Sequence, residues 1–419
     1  MLDIKFIREN PDVVKENTAN KNVRADIDLI INLDQRRRNI IVNVEELKAK
    51  RNSSSKEIGI AKKSGADISN IMKEVKIISD AIKELDIELR EVENARDAEL
   101  LKIPNICDES VPVGKNETDN KEIKSWGTPK NSDHGLDHIA IAKKLGLFDF
   151  ERGAKVTGAG FSFMTGKGAR LERALINYFL DSHSENGYSE TIPPFIVNED
   201  SMRGTGQLPK MADDMYHAQV DNLYLIPTAE VPLTNLHRDE ILNDIELTKK
   251  LCGYSPCFRR EAGSHGKDVR GFLRVHQFNK VELVKFSRPE DSGKELQSML
   301  FDVEKLIQGL GLTYRILLLC TGDTSFASAL TYDFEVWAQS EKNWLEVSSC
   351  SNFKDFQARR ANIRYRPKAD SKPRFVHTLN GSALATPRIL VALIEQYFDG
   401  KSLIIPEVLR KYTGFDRIK

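Results

Sequence analysis

The sequence predicts an α+β protein, in which a domain built on an antiparallel sheet flanked by helices follows an N-terminal antiparallel helical hairpin. A long charged tract with heptad periodicity opens the chain and ends at Ile103-Pro104-Asn105. Beyond this break, short alternating strands are mixed with helices. At 419 residues the chain is longer than one small domain requires. We therefore expect two domains, residues 1–103 and residues 104–419.

Two apolar patterns predict the helical hairpin. The clearer one alternates spacings of four and three residues through Ile71, Val75, Ile78, Ile82, Leu85, Leu89 and Val92. An upstream pattern follows a similar grid through Ile30, Leu33, Ile40, Val44, Leu47 and Ile58, with Arg37, Arg51 and Ser54 in some of its apolar positions. Residues 62–67 contain a glycine and polar residues suited to a reversal of direction. The patterns predict a coiled-coil arm over about residues 28–100, with helices about 50 Å long.

The two predicted helices differ in charge, although the whole chain has 62 basic and 62 acidic residues. Residues 29–65 contain nine Lys or Arg and four Asp or Glu, whereas residues 66–103 contain six and ten. Contact with a nucleic-acid backbone would explain the basic helix, but a solvated coiled-coil surface is the commoner reason for such charges. The candidate contacts are Arg36, Arg37, Arg38, Lys48, Lys50, Arg51, Lys56, Lys62 and Lys63.

Several classes of protein are disfavoured by composition. The five cysteines are odd in number and contain no Cys-x-x-Cys pair, so we expect no zinc site. The N-terminus has no signal-like apolar block, and no stretch of the sequence approaches the length of a membrane span. These observations predict a protein of the reducing cytoplasm that is not bound to a membrane.

In the second domain, residues 168–180 have a helical pattern, and residues 223–226 and 281–284 have the alternation of strands. The most informative stretch is residues 257–278, where Arg259 and Glu261 are separated by a charged, glycine-containing loop from an apolar run that ends at Phe278. Two short strands joined by this loop would place fixed cations beside an aromatic ring, which suits a bound nucleoside triphosphate. Taken alone, the stretch is explained almost as well by a solvated hairpin.

Several segments, in the same order along the chain, resemble the class II aminoacyl-tRNA synthetases and in particular the seryl-tRNA synthetase family. Thr228-Ala229-Glu230 resembles the serine-binding loop of that family. The other resemblances are to motif 1 at about residues 168–197, motif 2 at about 253–286, the metal and ATP segment at 345–360, and motif 3 at about 377–397. The resemblance implies the class II synthetase sheet for residues 104–419 and a homodimer built on motif 1.

The resemblance also implies the reaction. Serine would be activated by ATP to seryl-adenylate, and the seryl group would then pass to the 3′ end of serine tRNA. The family's coiled coil grips the long variable arm of that tRNA, so the arm here would bind tRNA through Arg36, Arg37, Lys48, Arg51 and Lys56. Selenocysteine tRNA is a further possible substrate.

Individual roles are carried over onto the residues that match the family's motifs. The implied catalytic residues are Arg259 at the α-phosphate and Arg388 at the γ-phosphate. The implied ATP contacts are these two with Arg260, Glu261, Phe278, Glu346, Val347, Ser348 and Ser349. The implied serine contacts are Thr228, Ala229, Glu230, Arg259, Glu282, Asn380 and Ser382. Glu346 and Ser349 would hold Mg²⁺, a hard ion that prefers oxygen ligands.

Other interpretations remain open. A related ligase could load a carrier protein instead of tRNA, and a non-catalytic paralogue could bind RNA; a threonyl or prolyl enzyme is a nearer alternative. In isolation Thr228, Glu230 and Ser382 would pass as loop residues, and Glu282 could face solvent from its strand. Motif 3 departs from the family pattern at Ala383 and Pro387, although proline is well tolerated at the start of a helix.

Overall fold

The structure is a computed structural model that describes residues 1–65, 67–132, 134–262, 271–368 and 371–419. It divides the chain into two compact units, Met1–Pro104 and Asn105–Lys419. Residues 263–270, the centre of the predicted charged loop of motif 2, lie outside the described residues.

The first unit is helical. Two short helices, α1 (Ile4–Glu9) and α2 (Pro11–Asn20), precede the long helices α3 (Ile27–Ser64) and α4 (Ser69–Leu100). Asp26 caps the start of α3, because its carboxylate accepts a hydrogen bond from the backbone N–H of Leu29 at 2.9 Å. At the other end Gly65 adopts the left-handed conformation, with φ 71°, that glycine permits. The two long helices and the turn between them confirm the predicted hairpin.

The seam between α3 and α4 follows the predicted heptads. All seven apolar residues predicted on α4 are buried or half-buried, and Ile30, Ile40 and Val44 of α3 are buried. Ion pairs link the two helices beside the seam: Arg37 Nε is 2.8 Å from Glu93 Oε1, and Arg36 Nη2 is 2.7 Å from Glu88 Oε1. The arginine that interrupts the apolar grid at position 37 is thus accommodated by an acidic partner on the other helix.

The second unit is built on a sheet that contains eight strands among the described residues. In spatial order they are β1 (Lys121–Trp126), β11 (Tyr314–Leu318), β12 (Leu330–Ala338), β13 (Asn343–Asn352), β16 (His377–Ala385), β10 (Gln277–Ser287), β9 (Lys249–Phe258) and β4 (Ser189–Glu190). Neighbouring strands are antiparallel except for β4 and β9, which are parallel. The antiparallel α+β fold is therefore as the sequence predicts, and the predicted strand at residues 281–284 lies within β10.

Helices and short strands surround this sheet. The helices are α5 (His138–Lys144), α6 (Phe150–Val156), α7 (Gly166–Glu185), α8 (Glu199–Thr205), α9 (Glu230–Asn235), α10 (Ser292–Gly309), α11 (Phe356–Ala361), α12 (Thr386–Tyr397) and α13 (Glu407–Thr413). The short strands are β2 (Phe148–Asp149), β3 (Phe163–Met164), β5 (Ile196–Asn198), β6 (His217–Ala218), β7 (Leu223–Leu225), β8 (Ile241–Asn243), β14 (Arg364–Arg366), β15 (Arg374–Phe375), β17 (Leu403–Ile404) and β18 (Arg417–Ile418). Within the described residues, no helix combines the length and the apolar character needed to cross a lipid bilayer.

Strand alternation separates the core from the polar face of the sheet. Val281 and Leu283 of β10 belong to the main apolar cluster, which also contains residues of α7, α10 and α12. Gly381 of β16 approaches the same layer so closely that a Cβ there would lie 2.6 Å from Met299 Sδ. Because side chains alternate along a strand, Glu282 and Ser382 project to the opposite face. Asn380 of β16 shares that face with them.

Candidate active site

A cavity of about 320 Å³ opens where the β9–β10 hairpin, β13, and the junction of β16 with α12 meet. Eight of the residues predicted to bind ATP or serine line it: Arg259, Glu261, Phe278, Glu346, Val347, Ser348, Ser382 and Arg388. They come from three segments far apart in the sequence. The fold therefore brings motif 2, the predicted metal segment and motif 3 to one cavity.

Arg259 is held by hydrogen bonds to two backbone carbonyls. It directly follows β9, and its backbone N–H donates to His276 O at 2.9 Å, which extends the hairpin pairing. Its side-chain Nε donates to Pro227 O at 3.4 Å, and its guanidinium carbon lies 5.2 Å from the centre of the Phe278 ring. The predicted cation and aromatic ring of motif 2 are thus adjacent, with the charge over the face of the ring.

Glu261 and Arg260 differ in where their side chains lie. Glu261 has φ 50°, a left-handed conformation that is uncommon for a residue other than glycine, and its carboxylate pairs with Arg274. Both residues of that pair line the cavity. The side chain of Arg260 is exposed and does not line the cavity, while its backbone N–H donates to Asp214 O at 2.9 Å. The cavity therefore gives the predicted ATP contact of Arg260 no support.

Arg388 joins motif 3 to the two other segments. It stands in the first turn of α12, where Nε donates to Leu273 O at 3.2 Å and Nη1 donates to Glu346 O at 3.0 Å. Its Nη1 also lies 3.6 Å from Glu346 Oε2. Pro387 occupies the second position of the same helix, where its missing N–H is tolerated as the sequence predicts. A second fixed cation thus lies in the wall of the cavity that also contains Arg259.

The predicted serine loop forms a buried polar cluster with β10. Thr228 Oγ1 donates to Glu282 Oε2 at 2.9 Å and accepts from Lys280 Nζ at 2.9 Å and from Glu230 N at 3.1 Å. Lys280 also forms an ion pair with Glu282. Glu282 is only 1% exposed, so the alternative that it faces solvent is wrong.

Glu230 is the second buried carboxyl of this cluster. It accepts a hydrogen bond from Gln357 Nε2 at 2.6 Å, and Gln357 in turn accepts from Thr378 Oγ1 at 2.7 Å. Burial, together with the nearby Glu282 carboxylate, raises the pKa of Glu230 to about 7. Ala229, between Thr228 and Glu230, is fully buried and packs in an apolar cluster.

Strand β16 contributes two predicted serine contacts. Ser382 lies opposite Glu282 in the β10–β16 pairing and lines the cavity, and its carbonyl accepts from Ser348 Oγ at 2.6 Å. Asn380 is two residues away and so lies on the same face, but it does not line the cavity. The surface beside Glu282 is therefore polar on the β16 side.

The two predicted magnesium ligands face a second cavity, of about 500 Å³, that Asp333 and Glu335 also line. Glu346 lines both cavities, whereas Ser349 lines only the second. Burial, together with the Glu346 carboxylate, raises the pKa of Asp333 well above its usual value. Asp333 Oδ1 is buried without a hydrogen-bond partner in the described part of the chain. Over those residues no group of three His, Cys, Asp or Glu side chains could hold a metal ion by itself.

Besides Asp333 and Glu335 of the second cavity, three polar residues of the site were not predicted. Arg274 and Lys280 line the cavity, and Gln357 holds Glu230. All three lie in the motif segments or strands that the sequence singled out. Lys280 had a readable signal, because it precedes Glu282 by two residues on the same strand and so shares its face.

The predicted tRNA contacts of the arm differ in exposure and in whether they pair with an acidic residue. Arg36 and Arg37 are committed to the ion pairs with Glu88 and Glu93. Lys48 and Lys56 are exposed and have no ion-pair partner among the residues described, and Arg51 is half-buried. The two lysines therefore differ from Arg36 and Arg37 in having no acidic partner among the described residues.

The chain matches two family models. Residues 1–107 match the seryl-tRNA synthetase N-terminal domain, and residues 215–397 match the tRNA synthetase class II core domain (G, H, P, S and T). Among its relatives is the serine–tRNA ligase of Carboxydothermus hydrogenoformans, which is 53% identical over 100% of this chain and 99% of that protein. The similarity thus spans both structural units.

Solved structures agree over the same length. Seryl-tRNA synthetase from Pyrococcus horikoshii, crystallised with ATP, has a TM-score of 0.94 and 38% identity over 100% of this chain and 99% of that one. The cytoplasmic serine–tRNA ligase from Naegleria fowleri, in complex with AMP, has a TM-score of 0.89 and 31% identity over 100% and 99% of the two chains. Both relatives bind an adenine nucleotide in their crystals.

Proposed function

The chain belongs to the seryl-tRNA synthetases, the class II ligases that use ATP to attach serine to tRNA, and we propose that the reaction takes place in the cavity lined by Arg259 and Arg388. One observation carries this placement. Two fixed cations of motifs 2 and 3 line a single cavity with Lys280 and Ser382, which adjoin the buried carboxylate of Glu282.

The first step forms seryl-adenylate. The serine carboxylate attacks the α-phosphorus of ATP in line, a new C–O–P linkage forms, and pyrophosphate leaves. Because the carboxylate is already a nucleophile, no general base is needed, and the protein must position the reactants and stabilise charge on the phosphorus oxygens. Arg259 supplies that charge at the α-phosphate and Arg388 at the γ-phosphate.

The nucleotide lies across the motif 2 hairpin in this proposal. Phe278 offers its ring to adenine and Glu261 accepts from the adenine amino group, while Val347 and Ser348 form the wall opposite. Arg259 lies over the Phe278 ring and Arg274 pairs with Glu261, so a cation adjoins each of the two groups that would contact adenine.

The oxygen donors of Glu346 and Ser349 fit a magnesium ion, because both line one cavity beside the unpartnered oxygen of Asp333. When bound there, the ion would supply positive charge to the triphosphate. Arg388, which contacts Glu346, would hold the side of the cavity next to it.

Serine is selected by buried polar groups. Thr228, Glu230 and Glu282 hold its ammonium and hydroxyl, and Asn380 and Ser382 complete the polar wall. Alanine is rejected because it would leave the partners of the hydroxyl unpaired in a buried site, which costs about 1–3 kcal/mol or more. Threonine is excluded by lack of room for its methyl group.

The second step transfers the seryl group to the 3′-hydroxyl of the terminal tRNA adenosine, and AMP leaves. The α3–α4 arm holds the tRNA through the basic side of α3, so residues 1–103 act as a tRNA-binding domain. The chain acts as a homodimer in the cytoplasm, where tRNA is charged. Selenocysteine tRNA is a second acceptor to be tried.

Aminoacylation of purified serine tRNA with labelled serine, ATP and magnesium tests the proposal. Charging of the intact tRNA, with loss of charging when the long variable arm is deleted, is the expected result. Serine-dependent exchange of pyrophosphate into ATP without charging of any tRNA would instead favour another acceptor, such as a carrier protein. Absence of both reactions would rule out the proposed site.

A further inference from the structure

We propose that Lys280 is a placeholder for the ammonium group of serine: it neutralises Glu282 while the site is empty and is displaced from it when serine binds. The inference rests on the proposed function, since it concerns the ligand of the same site. It adds a specificity residue that the resemblance does not assign.

Lys280 occupies the position that the proposed function gives to the serine ammonium. Its Nζ donates to Thr228 Oγ1 at 2.9 Å and forms an ion pair with Glu282. Thr228 Oγ1 and Glu282 Oε2 are themselves only 2.9 Å apart, so the three groups form a closed triangle. Two of its corners are residues proposed to bind serine, and the third is occupied by a primary ammonium of the chain itself.

Serine brings the same chemical group. Its ammonium has three N–H donors and a single positive charge, as the lysine ammonium does. Two ammonium groups cannot share the two acceptors of this triangle, because like charges so close together repel strongly in a buried site. Binding of serine in the proposed orientation therefore requires Lys280 Nζ to move.

The charges of the empty site explain why a cation is needed there. Glu282 is 1% exposed and Glu230 is 7% exposed, so two carboxyl groups are buried side by side. A buried carboxylate without a counter-ion is costly. Lys280, which is 6% exposed, supplies that counter-ion until the substrate brings its own.

The structure also provides a place for the displaced group. Lys280 lines the cavity with Arg259 and Ser382, and its four-carbon stem is flexible. Rotation of the stem carries Nζ away from Glu282 and into this cavity.

The test compares serine with 3-hydroxypropanoate, which has the carboxylate and hydroxyl of serine but no ammonium. In the Lys280→Met variant, serine restores the missing cation and its KM in pyrophosphate exchange changes little. The analogue brings no cation to Glu282. Its inhibition constant, measured in competition with serine, therefore rises roughly tenfold or more, equivalent to about 1.4 kcal/mol. Lys294→Met, which removes an exposed lysine of α10, serves as the control. Equal rises for both ligands would overturn the proposal, because they would mean that Lys280 contacts a group common to both.

The wild-type protein gives an independent answer if the variant does not fold. In the wild type, Lys280 remains paired with Glu282 when the analogue binds, so the missing ammonium of the analogue leaves no carboxylate without a counter-ion. The analogue should therefore compete with serine at a concentration within about tenfold of the serine KM. If the analogue did not compete with serine even at far higher concentration, the proposal for Lys280 would be wrong. Serine-dependent exchange by the wild type is measured first: its absence would refute the proposed function itself, whereas its presence leaves Lys280 as the only question.

Discussion

Glu172 is a single residue that ties three segments of the catalytic unit together. Its Oε1 accepts from Thr386 Oγ1 at 2.6 Å and from Asn279 Nδ2 at 2.8 Å, so it links α7 to α12 and β10. Its Oε2 is buried with no hydrogen-bond partner in the described ranges. Burial raises the pKa of this carboxyl to about 7. Below about pH 7 the folded protein therefore holds this side chain in its neutral form.

The raised pKa of Glu172 predicts a pH dependence of stability. The folded state binds this proton more tightly than the unfolded chain, in which the carboxyl has its ordinary pKa of 4.5. Its contribution is therefore complete below that value and is lost as the pH rises through about 7. We expect Glu172→Gln to remove this loss, so that at about pH 8 the variant is more stable than wild type by on the order of 2 kcal/mol.

Thermal or urea unfolding at about pH 5 and pH 8 measures this difference. The control is Glu185→Gln, which alters an exposed residue on the same helix. An unchanged pH slope in Glu172→Gln would mean that the carboxyl is ionised in the folded protein.

Arg259 is the residue on which the adenylation step depends most directly in the proposal. We expect Arg259→Ala to lower kcat of pyrophosphate exchange on the order of 100-fold, because it removes a preorganised charge at the reacting phosphate. Arg260→Ala should lower kcat far less, because the exposed side chain of Arg260 lies outside the cavity. Initial rates at saturating serine and ATP test both. The control is Arg152→Ala, whose side chain is 79% exposed and pairs only with Asp149 among the described residues. Similar losses in the two motif 2 variants would contradict the placement.

At the scale of an element, some basic residues of the arm are paired with acidic residues and others are exposed to solvent. The cations of α3 are not equivalent, because Arg36 and Arg37 bind acidic residues of α4 while Lys48 and Lys56 face solvent. Exposed ion pairs contribute only about 0.2–1 kcal/mol each to stability, so these two pairs stabilise the hairpin only slightly. These lysines, which have no ion-pair partner in the described part of the chain, are better placed to displace counter-ions from a nucleic-acid backbone.

We therefore expect the double variant Lys48→Ala, Lys56→Ala to raise the KM for tRNA and to reduce its salt dependence, with a slope smaller by about one per lost phosphate contact. Pyrophosphate exchange, which needs no tRNA, should not change. Aminoacylation at a series of salt concentrations gives the slope. Lys73→Ala, at an exposed position of α4, is the matched control. A change in exchange, or an unchanged tRNA KM, would remove these lysines from the tRNA surface.

At the scale of the whole molecule, exposed apolar residues support the proposed homodimer. Ile192, in the segment that resembles motif 1, is 85% exposed, and Ile196 nearby is 51% exposed. Both residues lie in the segment proposed to form the interface, and contiguous apolar surface commonly marks a protein–protein contact. Covering them with a second copy would remove that apolar area from water, which stabilises by about 25 cal/mol per Å².

Ile192→Asp is expected to weaken self-association on the order of 100-fold, because a carboxylate would be buried without a partner. Analytical ultracentrifugation of wild type and variant over a range of concentrations checks this. Val220→Asp places the same charge at a residue that is 99% exposed and lies outside motif 1, so it should leave the assembly unchanged. A monomeric wild type, or equal effects of the two variants, would refute the interface.

The sequence by itself determined the fold class, the helical hairpin and the identity of the motifs. These follow from local regularities: heptad spacing sets the seam of the arm, and motif residues lie within short continuous segments. The side-chain pairings were decided by tertiary structure. Lys280 meets Thr228 across 52 residues, Gln357 meets Glu230 across 127, and Thr386 meets Glu172 across 214. Such proximity depends on strand order and register, which no local pattern encodes, and burial then sets the charge that each group carries.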